Sequence, residues 1–179
     1  MSKLRSLVPP LFFGPLVRAL AASAAVFAAG ALHAQALPPG VRLGMTAVEL
    51  QAAMPTIERV PRPQRLAGGL VGGWQGAPVS MAGLVFEPTF FFADSQLRRV
   101  EYLAFASAVP DGGAAAFAEL LRWGRAAFGA ELASNDPGSA YAAWTHEDAD
   151  VYLQHVRDAR RGGVRLVYKA RQLRDGSEL

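Results

Sequence analysis

The chain contains 179 residues, with 18 lysines and arginines, 15 acidic residues and no cysteine. The lack of cysteine excludes disulfides, thiol chemistry and cysteine-based metal sites. The excess of positive charge lies within the first 36 residues, because removing Lys3, Arg5 and Arg18 from the count leaves 15 basic residues against 15 acidic ones. The rest of the chain therefore has zero net charge, which gives no case for a nucleic acid or another acidic polymer as partner.

Residues 1–36 have the three parts of a secretory signal peptide, namely a basic start, an apolar stretch and a small-residue cleavage site at Ala34 and Ala36. The apolar stretch, 19–32, is shorter than the roughly 20 residues that span a bilayer. We predict cleavage after Ala36, so that the working chain begins at Leu37 without a stable membrane anchor. An uncleaved anchor is the alternative. No cysteine follows the cut, so lipid attachment there is excluded.

Cleavage at that point would leave 143 of the 179 residues, which is the usual size of one domain. A chain of this length buries about two-thirds of its unfolded surface and folds without disulfides. We therefore predict one domain, 37–179, that is soluble and exported to the periplasm or secreted.

The first element after the predicted cut is a short helix. Thr46 and Glu49 have the spacing of a capping box, Met45 and Leu50 that of a hydrophobic staple, and Pro55 ends the run. The predicted apolar face consists of Val48, Leu50 and Met54.

Strand-like segments follow this helix. Arginines alternate with prolines in 59–65, which predicts an extended basic connection, and 68–83 is rich in glycine with strand-like pieces. The segments 84–92 and 97–105 predict a hairpin around a turn at 94–95. Pro88 indicates an edge or bulged position for the first of these strands, since proline donates no ladder hydrogen bond.

A second helix and a second run of strands follow. Asp111 is a plausible cap, Gly129 a stop signal, and between them apolar residues recur at helical spacing: Phe117, Leu120, Leu121 and Phe128. After a predicted turn at 135–138 come strands predicted at 140–145, 151–156 and 164–170, joined by turns at 147–148 and 160–163.

The order of these elements predicts the fold class. Runs of consecutive strands joined by short turns favour an α+β fold, with an antiparallel sheet and helices on one face. The repeated order of helix then strands, 44–105 and 111–170, suggests two tandem units that arose by duplication. One domain with coincidental symmetry is the alternative.

The segment Leu43-Gly44-Met45-Thr46-Ala47-Val48-Glu49-Leu50, with its helix and following strands, resembles the Gly-Met-Thr start of two related groups. These are the SmpA/OmlA-type lipoproteins that help assemble outer-membrane proteins, and the β-lactamase-inhibitor-protein-like domains. The hairpin 90–100 is similar too. The resemblance implies a helix-plus-sheet unit, present once in the lipoproteins and twice in the inhibitor domains; the tandem order fits the second. This chain lacks the lipid-attachment cysteine, and no residue matches a contact of either group, so neither activity is implied.

Two clusters invite a chemical function. His146, Glu147, Asp148 and Asp150 surround a predicted turn, but His155 lies far along the next strand, so a solvated polar turn is the better interpretation than a metal site. The chain has no Gly-x-Ser-x-Gly, and no spacing requires its carboxylates to meet in one cleft. We predict no catalytic, cofactor-binding or metal-binding residue.

The residues most suited to binding a partner are basic or aromatic. Arg59, Arg62 and Arg65 form an extended basic cluster, Trp74 lies in a glycine-rich setting, and Trp123 lies off the apolar stripe of its helix. An ordinary soluble loop and ordinary core residues are the alternatives. We expect a non-enzymatic binding or envelope-assembly accessory domain whose partner is another envelope protein. The alternatives are a small envelope hydrolase and a carrier of an apolar ligand with a cavity beneath the strand 90–92.

Overall fold

The structure is a computed structural model, and it describes residues 37–135, 139–158 and 162–171. The predicted signal peptide, most of the predicted turn at 135–138, part of the connection 160–163 and the polar tail from 172 lie outside the described residues.

The described residues form two helices and nine strands that make one antiparallel sheet. This confirms the predicted α+β class. The elements are α1 (Ala47–Ala53), β1 (Glu58–Arg65), β2 (Val71–Gln75), β3 (Val79–Met81), β4 (Leu84–Ala93), β5 (Gln96–Phe105), α2 (Ala114–Phe128), β6 (Leu132–Asn135), β7 (Ser139–His146), β8 (Ala149–Val156) and β9 (Gly163–Ala170).

The strand order is β1-β2-β4-β5-β9-β8-β7-β6, with β3 paired to β4 alone. In each half the chain enters at an edge of the sheet and moves strand by strand to the centre, where β5 and β9 pair along seven residues each. Both halves begin with a helix. This arrangement matches the predicted tandem order of elements, while their origin by duplication stays a prediction.

One hydrophobic core lies between the helices and the face of the sheet that we call the inner face. Alternate residues of the central strands supply it, as the twofold period of a strand requires. Both helices contribute to the same cluster, through Leu50 of α1 and Ala116 and Leu120 of α2. The helices therefore lie on one face of the sheet, as predicted.

Helix α1 begins as its sequence predicts. The Thr46 hydroxyl accepts a hydrogen bond from the Glu49 amide, and the Glu49 carboxylate accepts one from the Thr46 amide at 2.7 Å. The chain before it also pairs with β5, because Gly44 donates to the Leu97 carbonyl and Leu97 to the Met45 carbonyl. Gly-Met-Thr thus attaches α1 to the sheet as well as starting it.

The apolar face predicted for α1 is only partly right. Leu50 is fully buried, but Val48 is 75 % exposed. Val48 lies two positions before Leu50, and residues two apart in a helix point to nearly opposite sides. Val48 therefore faces solvent when Leu50 faces the core.

Helix α2 begins at Ala114, three residues after its predicted cap Asp111, and its N-cap residue is Gly113. The Asp111 carboxylate accepts hydrogen bonds from the amides of Gly113 and Ala115, at 3.0 and 2.8 Å. The helix ends at Gly129, as predicted. Its close contact with the sheet occurs at Gly124, where an added Cβ would lie 2.5 Å from the Trp144 ring.

The predicted hairpin is present as β4 and β5, with Asp94 and Ser95 at positive φ in the turn. Neither position predicted for Pro88 occurs: β4 is not an edge strand, because it lies between β2 and β5, and its pairing with β5 shifts register between Phe91 and Phe92 instead of at Pro88. The Pro88 carbonyl accepts from the Gly76 amide, so its imide nitrogen also faces that side, just where the neighbour changes from β2 to β3. Because the Pro88 nitrogen faces away from β5, its lack of an amide hydrogen removes no hydrogen bond between β4 and β5.

The predicted basic connection at 59–65 is instead a strand. It forms β1 at one edge of the sheet, and its pairing with β2 shifts register between Arg59 and Gln64, around Pro61 and Pro63. Prolines and charged side chains are typical of edge strands, because they hinder pairing with other chains. The sequence pattern fits an edge strand as well as a loop, and only the partner strand distinguishes the two.

Candidate functional site

The side of the sheet opposite the helices, which we call the outer face, is a candidate binding surface. It carries the residues of β4, β5, β7, β8 and β9 that alternate with the core residues. Since α1 and α2 both pack on the inner face, neither covers it. Antiparallel sheets with one free face usually place polar residues there, but this face is a mixture of charged, aromatic and aliphatic side chains.

A buried carboxylate lies at the centre of the outer face. Glu101 is only 6 % exposed, and it forms ion pairs with Arg99 at 2.5 Å and Arg165 at 3.0 Å. The Arg99 guanidinium also lies 5.7 Å from the centroid of the Phe91 ring. A carboxylate held between two guanidinium groups fixes their planes, so the centre of the face is a preorganised polar surface.

One end of the outer face is apolar and exposed. Phe105 at the end of β5 is 64 % exposed, and Val85 on β4 is 60 % exposed. Phe105 pairs with Gly163, which pairs in turn with Val156, so these residues form one row across β5, β9 and β8. An exposed phenylalanine beside aliphatic neighbours is the kind of patch that marks an interaction site.

Two tyrosines extend the surface toward β7. The rings of Tyr141 and Tyr152 are stacked with centroids 6.0 Å apart. Partial burial, and then the negative charge of Asp150, raise the pKa of both phenols, so both are neutral hydrogen-bonding groups at physiological pH. Tyrosine, phenylalanine and arginine are enriched at the centres of protein interfaces.

The sequence prediction for the outer face was incomplete. None of Arg99, Phe105, Tyr141, Tyr152 or Arg165 was predicted as a binding residue. The twofold alternation in β5 was the available signal, since it separates Val100, Tyr102 and Ala104 from the residues between them. It becomes informative only when the neighbouring strands are known.

The structure brings two of the predicted binding residues together. The Arg59 guanidinium lies 4.9 Å from the centre of the Trp74 ring, on neighbouring strands paired at these two residues. Trp74 is 8 % exposed, so the suggestion of an exposed tryptophan anchor is wrong, and the Arg59 side chain of β1 lies over its ring. Both residues line a cavity of about 390 Å³ between α1 and the β1–β2 pair, which reaches Phe92. Phe90 and Phe91 are fully buried.

The other predicted binding residues lie apart from this cavity. Arg62 and Arg65 are exposed along the edge strand β1, as predicted for a basic cluster. Trp123 is half-buried on α2 and packs edge-on against Phe128 with ring centroids 5.3 Å apart. Trp123 therefore belongs to the periphery of the core, and no single surface contains all five predicted residues.

The polar turn between β7 and β8 does not form a metal centre with His155. His146 is exposed at the end of β7, whereas His155 is buried against Phe117 and hydrogen-bonded to the Gly112 carbonyl at 2.8 Å. Six strand pairs separate the two imidazoles along the β7–β8 ladder. Within 37–135, 139–158 and 162–171, no group of three metal-binding side chains comes together.

A cavity of about 600 Å³ lies between the first described residues and the β7–β8 turn. Tyr168, on the inner face of β9, is one of the residues that border it, and its hydroxyl is buried. Burial raises the pKa of this phenol well above its usual value of 10.0, so the hydroxyl stays protonated. The hydroxyl has no hydrogen-bond partner within the described part of the chain, which costs about 1–3 kcal/mol.

Comparison with known proteins found no matching family model, curated protein or solved structure. The resemblance to outer-membrane-assembly lipoproteins and inhibitor domains therefore stays an expectation. Neither α1 nor α2, the helices of the described residues, has the length and apolar composition needed to cross a bilayer.

Proposed function

We propose that this protein is a non-enzymatic binding module of the cell envelope that recognises another protein through the outer face of its sheet. The observation that carries the proposal is the composition of that face. It combines the exposed Phe105 with two arginines fixed by the buried Glu101 and with the stacked Tyr141 and Tyr152. Apolar anchors surrounded by ordered polar groups favour protein recognition.

The charge and position of these groups also favour a protein partner over a polymer or a substrate. The carboxylates Glu101 and Asp150 offset the cations of the face, so it lacks the excess of one charge that nucleic-acid surfaces have. Glu101 is occupied by two ion pairs and lies in a sheet face, not in a cleft, so it is a poor general acid or base. Export by the predicted signal peptide would bring the face into contact with envelope proteins.

Affinity capture from envelope extract tests the proposal, using protein purified from cells that express the full chain with a C-terminal tag. The test variant is Phe105→Glu. The matched control is Val48→Glu, which places the same charge at a valine that is also exposed but lies on α1. We expect a specific envelope protein to be enriched with the wild type and with Val48→Glu, and to be lost with Phe105→Glu at unchanged thermal stability.

Several results would contradict the proposal. Equal capture by all three proteins, or no enrichment over a control resin, would exclude the outer face as the binding surface. Loss with Val48→Glu alone would assign binding to the cavity beside Trp74 instead. Turnover of peptidoglycan or an ester by the purified protein would overturn the non-enzymatic assignment.

The N-terminus of the exported protein tests the localisation. We expect N-terminal sequencing of the envelope fraction to begin at Leu37. A chain that retains Met1 in that fraction would contradict the predicted cleavage.

A further inference from the structure

The cavity beside Trp74 has the features of a small-molecule site, independently of protein binding by the outer face. Its volume of about 390 Å³ lies within the range of about 300–1,000 Å³ that is typical of ligand pockets. The start of α1 and the β1–β2 pair border it, and Phe92 of β4 and Ser95 of the following turn complete the lining. Its apolar part includes Ala47, Val71 and the Trp74 side chain, so the cavity suits an apolar ligand body.

An irregular position of β2 leaves space in the wall of this cavity. The pairing of β2 with β4 shifts register between Gly72 and Trp74, so Gly73 is an extra residue that has no partner on β4. Gly73 borders the cavity, and a Cβ added there would meet nothing within 4 Å. A Cβ added at Gly72 would instead lie 2.7 Å from the Phe91 ring. Packing therefore requires a glycine at 72 but not at 73, where the wall is simply open.

The positive charge of Arg59 lies at this cavity. Among the described residues that border it, Arg59 alone is charged. The guanidinium lies 4.9 Å from the centre of the Trp74 ring, and this cation–π contact holds it at the cavity wall. The side chain is exposed, and within 37–135, 139–158 and 162–171 no carboxylate forms an ion pair with it. Its hydrogen-bond donors are therefore available to a ligand.

The acidic residues closest to Arg59 in the chain do not neutralise it. Glu58 precedes Arg59 on β1, and successive residues of a strand point to opposite faces. The Glu49 carboxylate on α1 accepts a hydrogen bond from the Thr46 amide at 2.7 Å and pairs with Arg42 at 3.1 Å. The cavity therefore has one unbalanced positive charge, which complements an anionic group.

We propose that this cavity binds a small amphiphilic carboxylate of the medium-chain fatty acid class. The carboxylate pairs with the Arg59 guanidinium, whose planar fork offers two parallel hydrogen bonds to such a group. The apolar chain of the ligand lies between the start of α1 and the β1–β2 pair. One guanidinium balances one negative charge, which favours a carboxylate over a phosphate monoester with its larger charge.

Three related probes separate the charge from the apolar chain in calorimetric titrations at neutral pH, using protein purified from cells that express the full chain. They are octanoate, octylamine and hexanoate. Octylamine replaces the carboxylate by a cation, and hexanoate lacks two CH2 groups. We expect octanoate to bind more tightly than octylamine. We also expect it to bind more tightly than hexanoate by roughly 3–15-fold, the effect of burying two CH2 groups.

A pair of arginine variants assigns the charge preference to its residue. Arg59→Gln should weaken octanoate binding by roughly 3–10-fold, the effect of one solvent-accessible charged hydrogen-bonding contact. It should also remove the preference for octanoate over octylamine. Arg62→Gln is the matched control, because it removes the same charge from an exposed position of the same strand that does not border the cavity. It should change neither affinity.

Tryptophan emission locates the bound ligand. Octanoate should change the emission of the wild-type protein, because the ligand lies beside Trp74 and pairs with the guanidinium over its ring. Trp74→Phe should lose this change. Trp123→Phe is the control and should retain it, since Trp123 packs against Phe128 on α2.

The proposal is overturned if octanoate does not bind saturably at millimolar concentration, or if octylamine binds equally well. An equal loss of octanoate affinity in Arg59→Gln and Arg62→Gln would also overturn it, since the net charge would then account for both. An emission change that persists in Trp74→Phe would place the ligand elsewhere. Should Trp74→Phe not fold, the exposed Arg59→Gln variant still decides the question, because an unchanged octanoate affinity in it contradicts the proposal.

Discussion

The two faces of the sheet use the same strands for different purposes. On the inner face, Phe86, Phe90, Leu97 and Leu153 are fully buried, and they hold the helices. On the outer face, Phe105 is largely exposed. Successive residues of a strand point to opposite faces, so stability and recognition are encoded by interleaved residues. The same residue type therefore has two roles in this sheet. Phe90 stabilises the core, whereas Phe105 contributes to the exposed outer face.

Truncating one phenylalanine on each face gives the largest contrast. Phe90→Ala should lower the free energy of unfolding by about 3–5 kcal/mol, because it leaves a cavity in the core. Phe105→Ala should change it by no more than about 0.5 kcal/mol. Urea unfolding measures both, and similar losses at the two positions would break the distinction between the faces.

The contact between α2 and the inner face gives the next effect. Gly124→Ala adds a Cβ about 2.5 Å from the Trp144 ring, and overpacking of this kind costs about 1–3 kcal/mol, offset by about 1 kcal/mol of helix propensity. We expect a net loss of about 1–2 kcal/mol. Gly73→Ala is the control, since an added Cβ there meets nothing within 4 Å. A stabilised Gly124→Ala protein would refute this contact.

The ionic centre of the outer face gives a smaller effect. Glu101→Gln should destabilise the protein by about 1 kcal/mol, because the carboxylate is buried but its partners Arg99 and Arg165 remain partly exposed to water. Glu87→Gln, an exposed glutamate of β4, should have no measurable effect in the same thermal unfolding assay. A Glu101→Gln protein as stable as the wild type would mean that the centre of this face is not preorganised.

Acid titration gives the smallest expected effect, and it tests how the Asp111 carboxylate stabilises the start of α2. The amides of Ala115 and Gly113 hold the pKa of Asp111 below its usual 3.8. As the pH falls, the Asp111 carboxylate is therefore protonated in the unfolded chain before it is protonated in the folded one. Its contribution to stability is fully present above pH 3.8 and is lost as the pH falls through the folded-state pKa.

The variant Asp111→Asn keeps a hydrogen-bond acceptor but cannot titrate. The gap in melting temperature between wild type and variant should therefore narrow on acidification below pH 3.8. A gap that stays constant or widens would show that the carboxylate charge does not support the start of α2.

Local sequence signals predicted much of the fold correctly. The capping box of Thr46 and Glu49, the turn at Asp94 and Ser95, and the stop at Gly129 all occur as expected. Each depends on hydrogen bonds or backbone angles within a few residues, so the sequence contains all the partners. Strand β6 was missed, because its four exposed residues have no apolar alternation.

The binding residues were predicted less well than the fold. Trp74 was suggested as an exposed anchor and is buried beneath Arg59. Composition identified aromatic and basic residues but not their surroundings. Phe105 and Arg165 come together on the outer face only through the pairing of β5 with β9, whose residues lie about sixty positions apart in the chain.

The sequence by itself determined the α+β class, the start of α1, the end of α2, the central hairpin and the lack of any thiol chemistry. It also predicts export, which residues 1–36 carry without reference to the rest of the chain. Only the tertiary structure decided that 58–65 is an edge strand, that Glu101 is held between two arginines, and that Tyr168 borders a cavity. Hydrogen bonds of caps and turns close over a few residues, whereas burial, ion pairing and cavities depend on which distant strands become neighbours.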